Sequence, residues 1–496
     1  MSRVLTSWRA LMIAALVIAA LLLVAIRAAL TETFVLLDDE AYYWFWSHAL
    51  SLSYLDNAPG AGWYLLPWRW LVGETAWQIR LYANLMTLAT VWALWQLVRQ
   101  LFPSVRIEAA WLLLSAPLLL VGGLIWVHDV PLALCLTLAS WQLVRALQGS
   151  LGAWLYAGLF MALALLAKLT ALLYLGLAAL WFLLDPAGRK ALRSWQIWVG
   201  LGIALLGLLP SLLWNAQHDW ITFRFQGAHV FAADARRWTA EPLMALLLYY
   251  GVMAGLPLLV SFKLALHRID WKPERRALMA MAAGSSLLFL VIAAYKTFLV
   301  NWAALSVLLL IALAVGELAQ RSRAWQITQA LQSLLLLLLL AVLFHSPASV
   351  ERLVNLRSAY LWPELRSEID ARLAELPADT LLAGNRYQEA AQLAYLYRDR
   401  WEHLPGGHAV PALGLAHRPS HFDTLWPEQD YEGRDFLLLL PEKMSPESLA
   451  PYFCTLETLP PLIGVWRQRE LQRWHLVHAV DFVGRHHGET PATRAC

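Results

Sequence analysis

Residues 11–30 read LMIAALVIAALLLVAIRAAL, and residues 36–48 follow with LLDDEAYYWFWSH. The first stretch is about twenty apolar residues long, and at 1.5 Å per residue that length crosses the hydrocarbon of a bilayer. It follows Arg3 and Arg9. It exceeds the apolar core of a signal peptide and ends without an A-x-A-like cleavage site, so it reads as a retained signal-anchor helix. The rest of the chain has the same character. Of its 496 residues, 59% are apolar and 15% charged, against roughly 25% charged in a soluble domain. A soluble globular protein is excluded. The net charge of +3 against 38 basic residues argues against nucleic-acid binding by bulk charge. Three cysteines exclude a disulfide framework: Cys135 lies in an apolar run, and Cys454 and Cys496 allow at most one bridge.

Working outward, about eleven apolar stretches are long enough to span. They begin near Leu11, Arg80, Ile107, Asp129, Gly152, Leu169, Gln196, Glu241, Ala277, Leu299 and Trp325. Gly152 to Leu184 is one apolar stretch broken at Lys168 and Thr170, and a single long tilted helix is the other reading there. With the amino terminus in the cytoplasm, every inside loop is basic, from Arg3 and Arg9 through Arg99, Arg145, Arg189, Lys190 and Arg193 to Lys272, Arg275 and Arg323. An odd number of spans leaves the tail outside. The expected organisation is a transmembrane domain over 1–345, with a first outer loop at 31–79, and a periplasmic domain over 346–496. That tail is polar and holds strand-like alternation over Asp435 to Leu440, which predicts a small mixed α/β domain.

The chemistry-bearing residues gather at the outer ends. Asp38, Asp39 and Glu40 end the first span, where three carboxylates are costly unless solvated or used. Tyr42, Tyr43, Trp44 and Trp46 follow too densely for a solvated loop and predict a helix lying in the membrane interface, or rings stacked on a sugar. Asp56 and Trp63 close the same loop. Asp129, in His128-Asp129-Val130-Pro131, reads either as a helix cap or as a functional carboxylate. Lys168 reads either as a snorkelling side chain or as a phosphate ligand. Further candidates are Asn215, His218 and Arg224 in the loop after the seventh stretch, Lys296 and Asn301 at a later turn, and Arg386, Tyr387 and Gln388 in the tail. No ligand spacing is diagnostic of a metal, and the chain has no nucleophile elbow, Walker loop, zinc-protease motif or dinucleotide fingerprint.

Together these residues resemble a known family. Asp39-Glu40-Ala41-Tyr42-Tyr43-Trp44, then Tyr54-x-Asp56-x-x-Pro59, His128-Asp129-x-Pro131, Ala167-Lys168-x-Thr170, Trp214-Asn215-x-x-His218-x-Trp220, Lys296 with Asn301-Trp302, Arg386-Tyr387-Gln388 and Trp426-Pro427-Glu428 resemble bacterial membrane glycosyltransferases related to the protein O-mannosyltransferases and to lipid A aminoarabinose transferase. Two positions depart from that pattern: Asn57-Ala58-Pro59 stands where the family usually has His-Pro-Pro or a basic residue, and Asn301-Trp302-Ala303 where it has Asn-Trp-Pro. The resemblance implies the C-type glycosyltransferase fold, a polytopic α-helical membrane protein of the bacterial inner membrane with its active site outside. It also implies a polyprenyl-phosphate-linked sugar as donor and an envelope glycolipid, polymer or protein hydroxyl as acceptor.

By this resemblance Asp39 is the catalytic carboxylate, with Glu40 and Asp129 in supporting catalytic roles. Lys168, Arg224 and Lys296 face the donor phosphate. Tyr42, Tyr43, Trp44, Asp56, Trp63, Asn215, His218, Asn301, Arg386, Tyr387 and Gln388 line the substrate. No cofactor is required on this reading, although a divalent metal is compatible with it. A membrane transporter of lipid-linked or sugar substrates, and a non-catalytic assembly or sensor protein, are the competing classes.

Overall fold

The structure is a computed structural model, and it describes residues 2–105, 107–231, 240–266, 272–295, 300–320, 323–346, 354–399, 410–415, 420–425 and 428–484. Lys296, Trp426, Pro427 and Cys496 lie outside the described residues. The chain divides into two compact units. The first takes in 1–30, 51–53 and 57–341, and the second 31–50, 54–56 and 342–496. This differs from the division expected from the sequence, because most of the residues between 31 and 56 group with the C-terminal unit.

The first unit is helical. Among the described residues six helices are long and apolar enough to cross a membrane: Leu11–Thr31, Ala76–Leu101, Asp129–Leu147, Pro273–Ala294, Asn301–Ala319 and Arg323–His345. Two bent pairs add two more if each counts as one span: Trp195–Leu206 with Leu209–Gln217, at 43°, and Ala240–Ala254 with Leu256–Lys263, at 96°. Not all of the eleven expected spans are matched by helices of that length among the described residues, because some apolar stretches fold as shorter pieces. The stretch from Ile107 becomes Glu108–Leu114 and Pro117–Val121. Pro117 forces Ala116 out of the helical region, to ψ 125°. Gly152 to Leu184 is two helices, Ala153–Ala167 and Ala171–Leu184, and not one long one.

Packing sorts these helices. Ala304–Ala319 is the centre of the unit, with nearly every residue buried, whereas Leu11–Thr31 and Arg323–His345 leave most of their apolar surface bare. Bare leucines such as Leu21 and Leu335 suit hydrocarbon and need no protein partner. Where helices do touch, small residues let the backbones approach. A Cβ on Gly158 would strike the Gly200 carbonyl, so Ala153–Ala167 and Trp195–Leu206 cross backbone to backbone. An apolar crevice of about 310 Å3 beside this crossing is lined by Leu143, Met161, Phe182 and Trp198 among others, and by none of the candidate residues.

The second unit is mixed. Its four strands are β1 (Leu381–Gly384), β2 (Phe436–Pro441), β3 (Phe453–Trp466) and β4 (Arg469–Phe482), in the order β1-β2-β4-β3. β1 runs parallel to β2 and the other neighbours are antiparallel. The β3–β4 hairpin turns at Arg467 and Gln468, both at positive φ, as a two-residue turn with the handedness of the strand twist requires. β2 is buried along nearly its whole length. One of its faces meets a cluster containing Trp362, Ile369 and Trp474, and the other a cluster containing Leu413, Leu449 and Phe482.

Candidate functional site

The first set of candidate residues belongs to the second unit. Asp38–Trp46 forms a nine-residue helix. Its three acidic residues fill the first turn, where a negative side chain meets the positive end of the helix dipole. Glu40 has a local role of this kind: it is fully buried, and its Oε2 accepts the Leu37 amide at 3.0 Å, half of a capping box. Asp39 is exposed and accepts the Tyr387 hydroxyl at 3.1 Å. Asp38 accepts from Gln392 at 2.9 Å and Ser358 at 3.3 Å. The enclosure of its carboxyl, aided by Glu389 and Asp39 nearby, pushes its pKa up to about 7.

The aromatic residues of this helix are a core, which corrects the expectation of rings laid on a membrane interface. Trp44 and Trp46 are fully buried, and Tyr42 and Tyr43 nearly so. Trp46 stacks on Tyr54 at 3.8 Å between ring centroids, Phe45 on Phe422 at 4.5 Å, and Trp44 meets Tyr395 edge-on at 5.0 Å. Tyr42 packs against Tyr387, donates to Asp56 at 2.5 Å and accepts the His421 amide. Burial and the Asp56 carboxylate hold its pKa well above the ordinary phenol range. Tyr387 and Gln388 open the helix Tyr387–Leu396 that packs on Asp38–Trp46. Arg386, just before it, is committed to a bidentate pair with the buried Glu389.

The second set belongs to the first unit. Asp129 opens the helix Asp129–Leu147 without a side-chain cap at its start, and its Oδ1 takes the Lys168 ammonium at 2.8 Å. His128 stands 3.5 Å from the other oxygen. Lys168 is 5% exposed, so it does not snorkel to solvent. Its backbone is extended, φ −160° and ψ 135°, and it ends Ala153–Ala167. Asn57 supports that break, since its Oδ1 accepts the amides of Leu169 at 3.3 Å and Ala58 at 3.0 Å. Gly60, three residues on, leaves room for the Leu166 carbonyl and Ala167. The residue that departs from the family pattern thus holds the turn that carries the lysine.

Other candidates serve their own turn. Asn215 is fully buried, donating to Ser211 O and accepting from Thr222 N. His218 stacks on Trp214 at 3.8 Å and bonds its carbonyl. Trp63 donates to Ser51 O. Arg224 and Asn301 are exposed. Among the described residues no group of three or more His, Cys, Asp or Glu side chains is placed to hold a metal ion. Ser358 and Gln392 were not among the residues singled out in the sequence. The available signal was the helical spacing of 385–392, which sets Gln392 one turn after Gln388.

A model of the dolichyl-phosphate-mannose-protein mannosyltransferase family matches residues 56–214, the stretch that holds Asp56, Asp129 and Lys168. The lipid A galacturonosyltransferase RgtD of Rhizobium johnstonii is 31% identical over 189 residues. That alignment takes in 38% of this chain and 40% of RgtD, so the chain matches less than half the length of this curated relative. ArnT from Cupriavidus metallidurans, in a structure bound to undecaprenyl phosphate, superposes with a TM-score of 0.63 and 15% identity, covering 95% of this chain and 98% of that one. The same protein in its apo state gives 0.60 at 15% identity, over 96% and 98%. The resemblance read in the sequence is therefore borne out, and the chain has the C-type glycosyltransferase fold that it shares with ArnT.

Proposed function

We propose that the chain is an integral-membrane glycosyltransferase of the inner membrane. It moves a sugar from a polyprenyl-phosphate carrier to a glycolipid of the cell envelope, on the outer face. The observation that carries this reading is the mannosyltransferase match over 56–214, because it falls on the stretch that holds the ion pair of Asp129 with the buried Lys168. The undecaprenyl phosphate bound to ArnT and the lipid A named for RgtD support the donor and acceptor classes. The basic inside loops support the orientation.

The reaction is a single displacement at the anomeric carbon. The acceptor oxygen forms its bond to that carbon as the bond to the phosphate oxygen breaks. The acceptor proton passes to Asp39, an exposed carboxylate oriented by Tyr387, a general-base role typically worth 10² to 10⁴ in rate. The departing polyprenyl phosphate gains a negative charge and leaves without a proton. One displacement inverts the anomeric configuration. The test is mass spectrometry of envelope lipids from cells carrying the intact chain or Asp39→Asn. A loss of one sugar mass from a lipid in the variant is the expected result and names both sugar and acceptor; unchanged lipid profiles overturn the glycolipid assignment.

A further inference from the structure

The apolar crevice beside the crossing of Gly158 and Gly200 has no part in the reaction above. It lies at the other end of the helices that carry the candidate residues. Asp129 opens Asp129–Leu147 and Lys168 closes Ala153–Ala167, whereas the crevice is walled by Leu143 late in the first and by Trp154 early in the second. Leu183, at the end of Ala171–Leu184, and Trp198, at the start of Trp195–Leu206, complete the wall. Both are exposed, so the crevice opens sideways to the surface that meets lipid. At this end the chain turns through Leu192, itself a lining residue, and the turn carries Arg189, Lys190 and Arg193. These are among the basic residues read above as facing inside.

The shape and lining suit a hydrocarbon chain. Ala157, Ala178, Ala179 and Ala204 line the crevice with side chains too short to fill it. Water finds few partners on such a surface, and an unfilled gap forfeits the dispersion contacts of its walls. From Leu175 to Leu183 the wall runs about 12 Å at 1.5 Å per residue. One leaflet holds roughly 15 Å of hydrocarbon, so an acyl chain matches that depth and a longer polyprenyl chain does not.

The charges beside the crevice select the kind of lipid. Arg189 Nη1 donates to the carbonyls of Leu183 at 3.1 Å and Leu184 at 2.7 Å, which holds the guanidinium next to a lining residue. Arg193 directly follows Leu192, whose carbonyl takes Trp198 Nε1 at 2.9 Å. Asp185 is the one acidic residue between 181 and 198, and Arg276 occupies both of its oxygens, at 2.7 and 2.9 Å. Among the described residues no carboxylate pairs with Arg189, Lys190 or Arg193. Trp195 and Trp198 are 65% and 56% exposed, as indoles at headgroup depth are. Cations at that depth beside an apolar slot between helices are the chemistry that recognises an anionic headgroup.

We propose that this crevice binds an anionic phospholipid: one acyl chain lies along Leu175 to Leu183 against Trp198, and the phosphate meets Arg189, Lys190 and Arg193. The site is separate from the candidate catalytic residues, and its occupancy is read without reference to sugar transfer. The experiment is native mass spectrometry of the full chain, delipidated in detergent and titrated with dioleoyl phosphatidylglycerol, dioleoyl phosphatidylethanolamine or undecaprenyl phosphate. The expected result is that the wild type takes up its first phosphatidylglycerol about tenfold more tightly than phosphatidylethanolamine. Lys190→Gln with Arg193→Gln is expected to abolish that preference; Arg189 is left in place because it holds two carbonyls. Ala179→Phe, at an exposed lining position, is expected to weaken both phospholipids about tenfold by displacing roughly two buried methylenes. Equal affinities in the wild type, or a preference that survives the double variant, overturn the headgroup assignment. Undiminished binding to Ala179→Phe overturns the crevice as the site, and displacement of phosphatidylglycerol by equimolar undecaprenyl phosphate assigns it to the carrier instead. A phosphatidylglycerol bearing a diazirine in its acyl chain tests the wild type directly. Labelling within 175–204 is expected, and labelling confined to other peptides overturns the proposal.

Discussion

Lys168 and Asp129 each had two readings in the sequence, and in the structure each meets the other, at 2.8 Å. The lysine does not reach for water and the aspartate does not cap its helix. Removing the buried lysine strands a partly buried carboxylate, at a cost of about 1 to 3 kcal/mol. Lys168→Ala is therefore expected to lower the thermal midpoint in detergent, and Lys168→Met with Asp129→Asn is expected to recover most of it. A single variant as stable as the double would show that the pair contributes nothing. Asp38 sets a second expectation at this scale. Its folded pKa lies above its unfolded value, so the folded chain holds a proton that the unfolded chain has released. The stability it contributes is full below about pH 4 and is lost as pH rises through about 7. Relative to Asp38→Asn, the wild-type midpoint should decline across that window. None of this was legible locally: Asp38, Asp39 and Glu40 look alike in the sequence, and only their partners tell them apart.

At the scale of elements, the apolar stretches were legible as helices because lipid imposes a local rule, that every backbone group be bonded within its own segment. Their breaks were less so. The break at Lys168 depends on an ion pair to Asp129 and on Asn57 taking the Leu169 amide, both contributed by other elements. Gly60 belongs to the same junction, and a Cβ there would strike the Leu166 carbonyl. Gly60→Ala is expected to destabilise the chain by about 1 to 3 kcal/mol through this overpacking. Gly202, in Trp195–Leu206, faces open space, and Gly202→Ala is expected to gain up to about 1 kcal/mol from helix propensity. Thermal unfolding of the two variants checks both signs, and a stabilised Gly60→Ala would refute the close approach. The aromatic run after Asp38 was legible as a helix but not as a core. Dense tyrosine and tryptophan suit a membrane interface equally well until Tyr395 and Phe422 cover them.

At the scale of the molecule, the second unit is assembled from distant pieces of chain. Residues 31–50 and 54–56 belong with 342–496, and Trp44 and Trp46 bury themselves there completely. The tail alone therefore lacks a helix of its own fold. A fragment of 342–496 is expected to lose fixed tertiary structure, read as a collapse of near-ultraviolet circular dichroism. The same fragment joined through a flexible linker to 31–56 is expected to regain it. A tail that folds by itself would show that Asp38–Trp46 is an appendage.

The sequence by itself determined that this is a membrane protein, which stretches are helical, and which family it resembles. Those properties are carried by runs of neighbouring residues and by the order of short motifs. Tertiary structure decided which acid is enclosed, which lysine is paired, and with which unit residues 31–50 group. These depend on contacts between residues such as Asp38 and Gln392, 354 positions apart, and no local pattern encodes a hydrogen bond across that distance.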